Sequence, residues 1–173
     1  IFDNKIVADI PIDALSSKAP VYEREWNKVK LPQKKIKVKD LKKISVEDCL
    51  MKILSSPNHS NKKWITEQYD QVVMNDTLLR SGSDSAVIKI HNKDKAIAVT
   101  VDSSANYCYS HPVTGGKQIV SESWRNLVSV GAKPIAITNC LNFGNPENPK
   151  IMGEFAETIQ GIKEACEYLD YPV

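Results

Sequence analysis

Residues 133–173 read KPIAITNCLNFGNPENPKIMGEFAETIQGIKEACEYLDYPV, and three kinds of pattern follow one another in that stretch. Lys133 to Cys140 is a short apolar and β-branched run, which reads as a strand. The next nine residues, Leu141 to Pro149, are rich in Asn, Gly and Pro and read as a loop. From Pro149 to Leu169 the residues Ile151, Phe155, Ile159, Ile162, Cys166 and Leu169 recur along one stripe, which predicts a long amphipathic helix. Tyr171-Pro172-Val173 then reads as the entry to a further strand. Strand, helix and strand in that order make a crossover unit. The fold class expected is therefore α/β (α+β), a mixed sheet covered by helices.

Outward from this unit, Gly115-Gly116 introduces a helix expected over Lys117 to Val130, with Val120, Trp124, Leu127 and Val128 on one face and Gly131 as its stop. Ser85 to Ile90 and Ala96 to Val101 read as two strands of a hairpin, joined by the polar turn His91-Asn92-Lys93-Asp94. Ser45-Val46-Glu47-Asp48 opens a further helix, because Ser45 can cap it and an acid follows three residues on. Val46, Cys49, Leu50, Ile53 and Leu54 form its apolar stripe, and Ser55-Ser56-Pro57-Asn58 ends it. A short helix carrying Trp64 and Ile65 is expected from about Ser60-Asn61. Lys5 to Ile12 reads as a short strand followed by a turn at Asp13 to Leu15. Ala19 to about Lys39 has no sustained period and reads as a linker. No internal repeat is visible.

With 173 residues and 42% apolar content, the chain is long enough for one ordinary core. No run of about eighteen apolar residues exists, which excludes a helical membrane span. The chain opens on Ile1-Phe2-Asp3-Asn4, without Met, basic n-region or apolar h-region; it reads as a piece of something longer, with no secretory leader expected. The net charge of +2 is unevenly spread. Arg24 to Lys63 holds twelve basic and four acidic residues, a net +8, leaving −6 for the rest. That run fits a solvated linker better than a nucleic-acid patch, since no aromatics for base stacking are interleaved with its lysines. Cys49, Cys108, Cys140 and Cys166 form no CxxC pair, and His59, His91 and His111 have no metal-ligand spacing, so reduced cytosolic thiols are expected.

Three features bear on chemistry, and each stands where a strand meets a helix, the usual ligand position of α/β folds. In Ser81-Gly82-Ser83-Asp84-Ser85, small residues let backbone amides approach a phosphate and Asp84 can hold a divalent cation beside it. An ordinary loop with a capping Asp fits the same residues. Glu122 and Asn126, four apart, share one helix face and suit Mg²⁺, which takes few protein oxygens and keeps its waters; a solvated polar face fits them too. The loop Thr138 to Pro146 carries Asn139, Asn142, Gly144 and Asn145, whose amides donate and accept and suit a polar ligand better than acid–base work. No GxxxxGK[ST] loop, GxGxxG turn or GxSxG elbow is present, so a phosphate site here would be of an unusual kind.

Taken in order, these residues resemble the second half of the synthetase chain of phosphoribosylformylglycinamidine synthase (FGAM synthetase). The resemblance rests on Ala8 to Leu15 with Ala19 to Tyr22, on Glu67-Gln68-Tyr69-Asp70, Ser81 to Val87, Ala96 to Asp102 and Gly115-Gly116, on Glu122 with Arg125-Asn126-Leu127, and on Cys140-Leu141-Asn142-Phe143-Gly144-Asn145-Pro146. The family implies an ATP-dependent ligase of purine biosynthesis. It converts formylglycinamide ribonucleotide and glutamine-derived ammonia to the amidine, with ADP and phosphate as products. The fold implied is the N-terminal domain of the aminoimidazole ribonucleotide synthetase superfamily, which pairs through a β-barrel interface and binds ATP/ADP with Mg²⁺ without a P-loop.

Residue by residue, the resemblance implies Asp84, Glu122 and Asn126 as metal ligands and Asn139, Asp84, Asn142 and Gly144 as nucleotide contacts. Asn139 stands where the family usually has Asp, so it keeps the hydrogen bond without the charge. Ser83 and Ser85 replace the usual Gly and Ala, and Ser103-Ser104-Ala105 replaces Cys-Asn-Pro. Residues 1–20 are expected as the tail of a preceding C-type domain, 21–43 as a basic linker and 44–173 as a second N-type domain. The family's catalytic histidine lies in the first half, so no catalytic residue is expected here and the piece is expected to be inactive alone. Implied partners are the glutaminase subunit, a small accessory subunit and the rest of the synthetase chain. Homodimerisation of this piece through an exposed barrel edge is also expected. Neither nucleic acid nor membrane is expected as a partner, and the location expected is cytoplasmic. The alternative is a non-catalytic scaffold domain with a structural or vestigial nucleotide site.

Overall fold

In the computed structural model, residues 2–31, 37, 45–69 and 73–173 are described. Five helices are found among them: α1 (Val46–Leu54), α2 (Lys63–Thr66), α3 (Ala105–Ser110), α4 (Pro112–Ser129) and α5 (Pro149–Leu169). The strands are β1 (Thr77–Leu79), β2 (Ala86–Lys89) and β3 (Ala96–Val99), in one antiparallel sheet of order β1-β2-β3. This is an α/β arrangement with helices over a sheet, as expected, but its sheet is antiparallel rather than mixed.

The hairpin follows from its sequence. Ala86, Val87, Ile88 and Lys89 stand opposite Val99, Ala98, Ile97 and Ala96. In such a register paired residues share a face. Val87 and Ala98 are half-buried on the inner side, and Ala98 packs against the core. Ile88 (45% exposed), Ile97 (54%) and Val99 (49%) lie on the outer side. The core itself is Val120 and Leu127 from α4, Ile162, Ala165 and Cys166 from α5, and Tyr171 beyond it.

α4 and α5 pack closely because glycines open the way. A Cβ on Gly116 would collide with the carbonyl oxygen of Thr158, one on Gly161 with that of Val113, and one on Gly115 would stand 2.5 Å from the Cys108 nitrogen of α3. Gly115-Gly116 therefore lies within the helix and does not introduce it. α4 starts at Pro112, which takes the first helical position where a missing N–H costs nothing. At the other end Gly131 (φ 81°) stops the helix as expected, its N–H donating to the Val128 carbonyl. On α5, residues 149–169 are helical as the periodicity predicts. Its buried face comprises Gly153, Glu157, Thr158, Gly161, Ile162, Ala165 and Cys166, so Ile159 is left exposed. Backbone contact selects small residues, and the apolar stripe alone does not show this.

Three expected strands are not found among the described residues. Ile6, Val7 and Ile10 are exposed, and the run Lys5 to Ile12 has only the bridge Phe2–Lys5 before a 3-10 turn at Ile12–Leu15. Lys133 to Cys140 is not a strand, and its backbone bond to the final residues is Ile137 N–H to the Pro172 carbonyl at 2.7 Å. Tyr171 to Val173 is likewise not a strand. α1 forms where its cap predicts, Ser45 Oγ accepting from Asp48 N at 3.0 Å; α2 forms near the expected place, with Lys62 at its N-cap and Asn61 Oδ1 accepting from Lys63 N at 2.8 Å just before it. β1 and α3 carry no strong periodicity and are not legible beforehand.

The segment read as solvated linker is partly docked. Asn27 N–H donates to the Pro149 carbonyl, Val29 N–H donates to Oε1 of the buried Glu157 at 3.0 Å, and Arg24 lies 3.8 Å from Glu147. Gly153 is bare because the Asn27 carbonyl lies against it. The lysine run at 34–35 and Asp70 of the EQYD stretch lie outside the described residues.

Gly116→Val forces the α4–α5 contact apart. Urea denaturation is expected to show a loss of about 1–3 kcal/mol; an unchanged midpoint would show that the contact does not limit stability.

Candidate functional site

The hairpin meets α4 at a cluster built only of oxygen and amide groups. The Ser81–Ser85 turn delivers Asp84 and Ser85 to the start of β2, and Asp102 follows just after β3. From α4 come Glu122, Asn126 and Ser129, one face at one-turn intervals. Ser85 is buried, and its hydroxyl donates to the Asn126 carbonyl at 2.7 Å. Asn126 Nδ2 donates to Asp102 Oδ1 at 2.8 Å, and Thr100 Oγ1 donates to Asp102 Oδ2 at 2.8 Å. Ser129 Oγ lies 2.9 Å from Asp84 Oδ2 and 2.8 Å from the Asn126 carbonyl, so its one proton serves either acceptor.

Asp84 and the Asn126 carbonyl are thus bridged by Ser129, and Glu122 lies half-buried one turn earlier on the same helix. Three groups escaped sequence reasoning: Asp102, Thr100 and Ser129. The signal that finds Asp102 is a carboxylate directly after a strand, at the edge where α/β sheets present ligands. Ser85 uses its hydroxyl to tie the hairpin to α4.

The second part of the predicted site is the loop Thr138 to Pro146, and with the residues up to Pro149 it stands on α5. Phe143 meets Phe155 edge-on with ring centroids 5.0 Å apart. A Cβ on Gly144 would stand 3.0 Å from Ile151 Cδ1, so glycine lets the loop fold back. Two of the carboxamides are spent locally: Asn148 Oδ1 accepts from Lys150 N and caps α5, and Asn145 Oδ1 accepts from Glu147 N. Asn139 and Asn142 are exposed, and Asn142 Nδ2 turns back to the Cys140 carbonyl at 3.3 Å. Among the described residues no hydrogen bond joins this loop to the Asp84 cluster.

Among the described residues, no three His, Cys, Asp or Glu side chains are grouped to hold a metal. The expected set has two carboxylates and one amide, all hard oxygen donors. Asp84 Oδ1 and Asn126 Oδ1 accept no hydrogen bond among the described residues, so oxygens remain on offer. That donor chemistry fits Mg²⁺, which takes one or two carboxylates and retains water.

The structure therefore defines an α/β layer with an oxygen-rich cluster at a hairpin–helix seam and no glycine-rich phosphate loop. Residues 82–173, just over half of the chain, match the family described as AIR synthase related protein, N-terminal domain, and the chain belongs to that family. It is 55% identical over 173 residues to the phosphoribosylformylglycinamidine synthase subunit PurL of Pelagibacter ubique, covering 99% of this chain and 24% of that protein. The same-named subunit of Rhodopseudomonas palustris is 46% identical over 98% of this chain and 23% of its own length. That of Bartonella quintana is 47% identical over 96% and 23%. The chain spans about a quarter of the length of these curated relatives.

Thiol chemistry separates the loop from the core. Burial pushes the Cys108 thiol up, partly offset by its hydrogen bond with Thr158, and burial also raises Cys166. Cys49 and Cys140 are exposed. A raised pKa keeps the thiol neutral as pH rises, and the thiolate is the reactive form. Iodoacetamide at pH 8 is therefore expected to alkylate Cys140 and Cys49 at least tenfold faster than Cys108 and Cys166, read by peptide mass spectrometry. Equal rates would show that the α4–α5 core opens freely.

Proposed function

We propose that this chain is part of the ATP-dependent ligase that makes formylglycinamidine ribonucleotide from formylglycinamide ribonucleotide and glutamine-derived ammonia, in the cytoplasm. The observation that carries the proposal is 55% identity along 99% of the chain to a protein named as a subunit of that synthase. In the reaction the family implies, ATP activates the amide oxygen as a phosphate ester and ammonia displaces the phosphate. ADP, phosphate and the amidine leave.

In this reading the seam of Asp84, Glu122 and Asn126 holds Mg²⁺, and Asn139, Asn142 and Gly144 contact the nucleotide. A bound Mg²⁺ supplies positive charge to the nucleotide phosphates. Asp84 and Glu122 bring the negative charge that attracts the cation. Asn126 adds a neutral oxygen, and Asn139 and Asn142 offer uncharged donors and acceptors. Residues 44–173 serve as an N-type nucleotide-binding domain, residues 1–20 as the tail of a C-type domain and 21–43 as the segment between them. The glutaminase and small accessory subunits dock on the complete synthetase chain.

The outer sheet face of Ile88, Ile97 and Val99 is apolar and exposed. It supports pairing with a second sheet of the same kind through the barrel interface, and an unpaired edge invites such association. Sedimentation of the 173-residue chain at rising concentration is expected to show dimers; a monomer at the highest concentration would count against this pairing.

The direct test of the activity is ADP release by the full-length synthetase with ATP, Mg²⁺, ammonia and formylglycinamide ribonucleotide, with the 173-residue chain alongside. Release that requires the ribonucleotide, and a silent 173-residue chain, are expected. Ribonucleotide-independent release, or none, would overturn the ligase reading.

A further inference from the structure

We propose that Asp102 is a positioning residue for the cation site: it fixes which end of the Asn126 side-chain amide faces the ligand. The inference rests on the reading of Asn126 as a cation ligand given above. An Asn side chain carries one acceptor end and one donor end, and only the oxygen can bind a cation. Left unconstrained, the amide can turn either end outward. Asp102 removes the choice, because a carboxylate accepts and does not donate. Its Oδ1 receives Asn126 Nδ2 at 2.8 Å, so Oδ1 of the amide is the end left over.

The carboxylate is itself held. Thr100 Oγ1 donates to its other oxygen at 2.8 Å, so Asp102 has one bond on each oxygen and presents Oδ1 in a set direction. The Asn126 backbone is fixed independently, since buried Ser85 donates to its carbonyl at 2.7 Å from the start of β2. Both strands of the hairpin therefore hold one residue of α4, one through the main chain and the other through the amide. This two-point hold is what ligand preorganisation requires.

The test uses Mn²⁺ as the probe, titrated into the full-length protein with ADP and followed by electron paramagnetic resonance, with thermal midpoints measured in parallel. N126A marks which part of the signal belongs to this site. D102N keeps size and hydrogen bonding but brings a donor, which can pair with Asn126 Oδ1 and turn the amide round. Mn²⁺ affinity is then expected to fall about 10–100-fold, with little change in thermal midpoint. D102N/N126D restores a donor–acceptor pair with the roles exchanged, leaving an oxygen outward, and is expected to recover affinity to within a few-fold of wild type. Wild-type affinity in D102N would overturn the proposal. So would a double variant as weak as D102N, which would make Asp102 a ligand itself or a purely structural group. An N126A protein that binds Mn²⁺ like wild type would instead overturn the site reading, and this inference with it.

Discussion

The contact between α4 and α5 at Gly116 and Gly161 is the constraint from which the rest of the structure follows. Each glycine faces a carbonyl of the opposite helix, Thr158 and Val113 respectively, so the two backbones touch with no side chain between them. Farther along the helices, the core residues Val120, Leu127, Ile162, Ala165 and Cys166 come together. Gly115 repeats the device against α3. Protein interiors transmit small volume changes because they are close-packed, so the position of α4 relative to the hairpin is set by this contact at the other end of the helix.

The consequence for the site is geometric. Glu122, Asn126 and Ser129 are presented by a helix fixed on α5, while Asp84, Ser85 and Asp102 arrive from the hairpin. The two halves are joined by polar bonds: Ser85 to the Asn126 carbonyl, Asn126 to Asp102, and Ser129 to Asp84. A seam of this kind puts charge and amide groups together at the surface without burying an unpaired ion, which would be costly. No described buried side-chain polar atom lacks a partner.

α5 also organises the far side. Its N-terminal half receives the loop through Phe143 on Phe155 and the 24–29 segment through Asn27, Val29 and Glu157. The loop with the predicted nucleotide residues and the basic segment are therefore held by the same helix. Arg24 near Glu147 adds a direct link between them, weak because both charges meet solvent.

The sequence by itself determined the elements whose information is local. Ser45 announces a helix through its cap, the Ala86–Val99 region reads as a hairpin from two apolar runs and a polar turn, and the α5 stripe has the period of a helix over its whole length. The residue types and spacing of Asp84, Glu122 and Asn126 were legible for the same reason. Tertiary structure alone decided what depends on neighbours distant in the chain. The glycine pair at 115–116 reads locally as a helix breaker, and only the backbones of α3 against Gly115 and α5 against Gly116 explain its place inside α4. Lys133 to Cys140 has strand composition, but a strand is made by its ladder, and the one backbone bond from Ile137 N–H to the Pro172 carbonyl does not make a ladder. Asp102 reads as one carboxylate among many until the fold sets it beside Asn126, because hydrogen-bond partners 24 residues apart leave no periodic trace in the sequence.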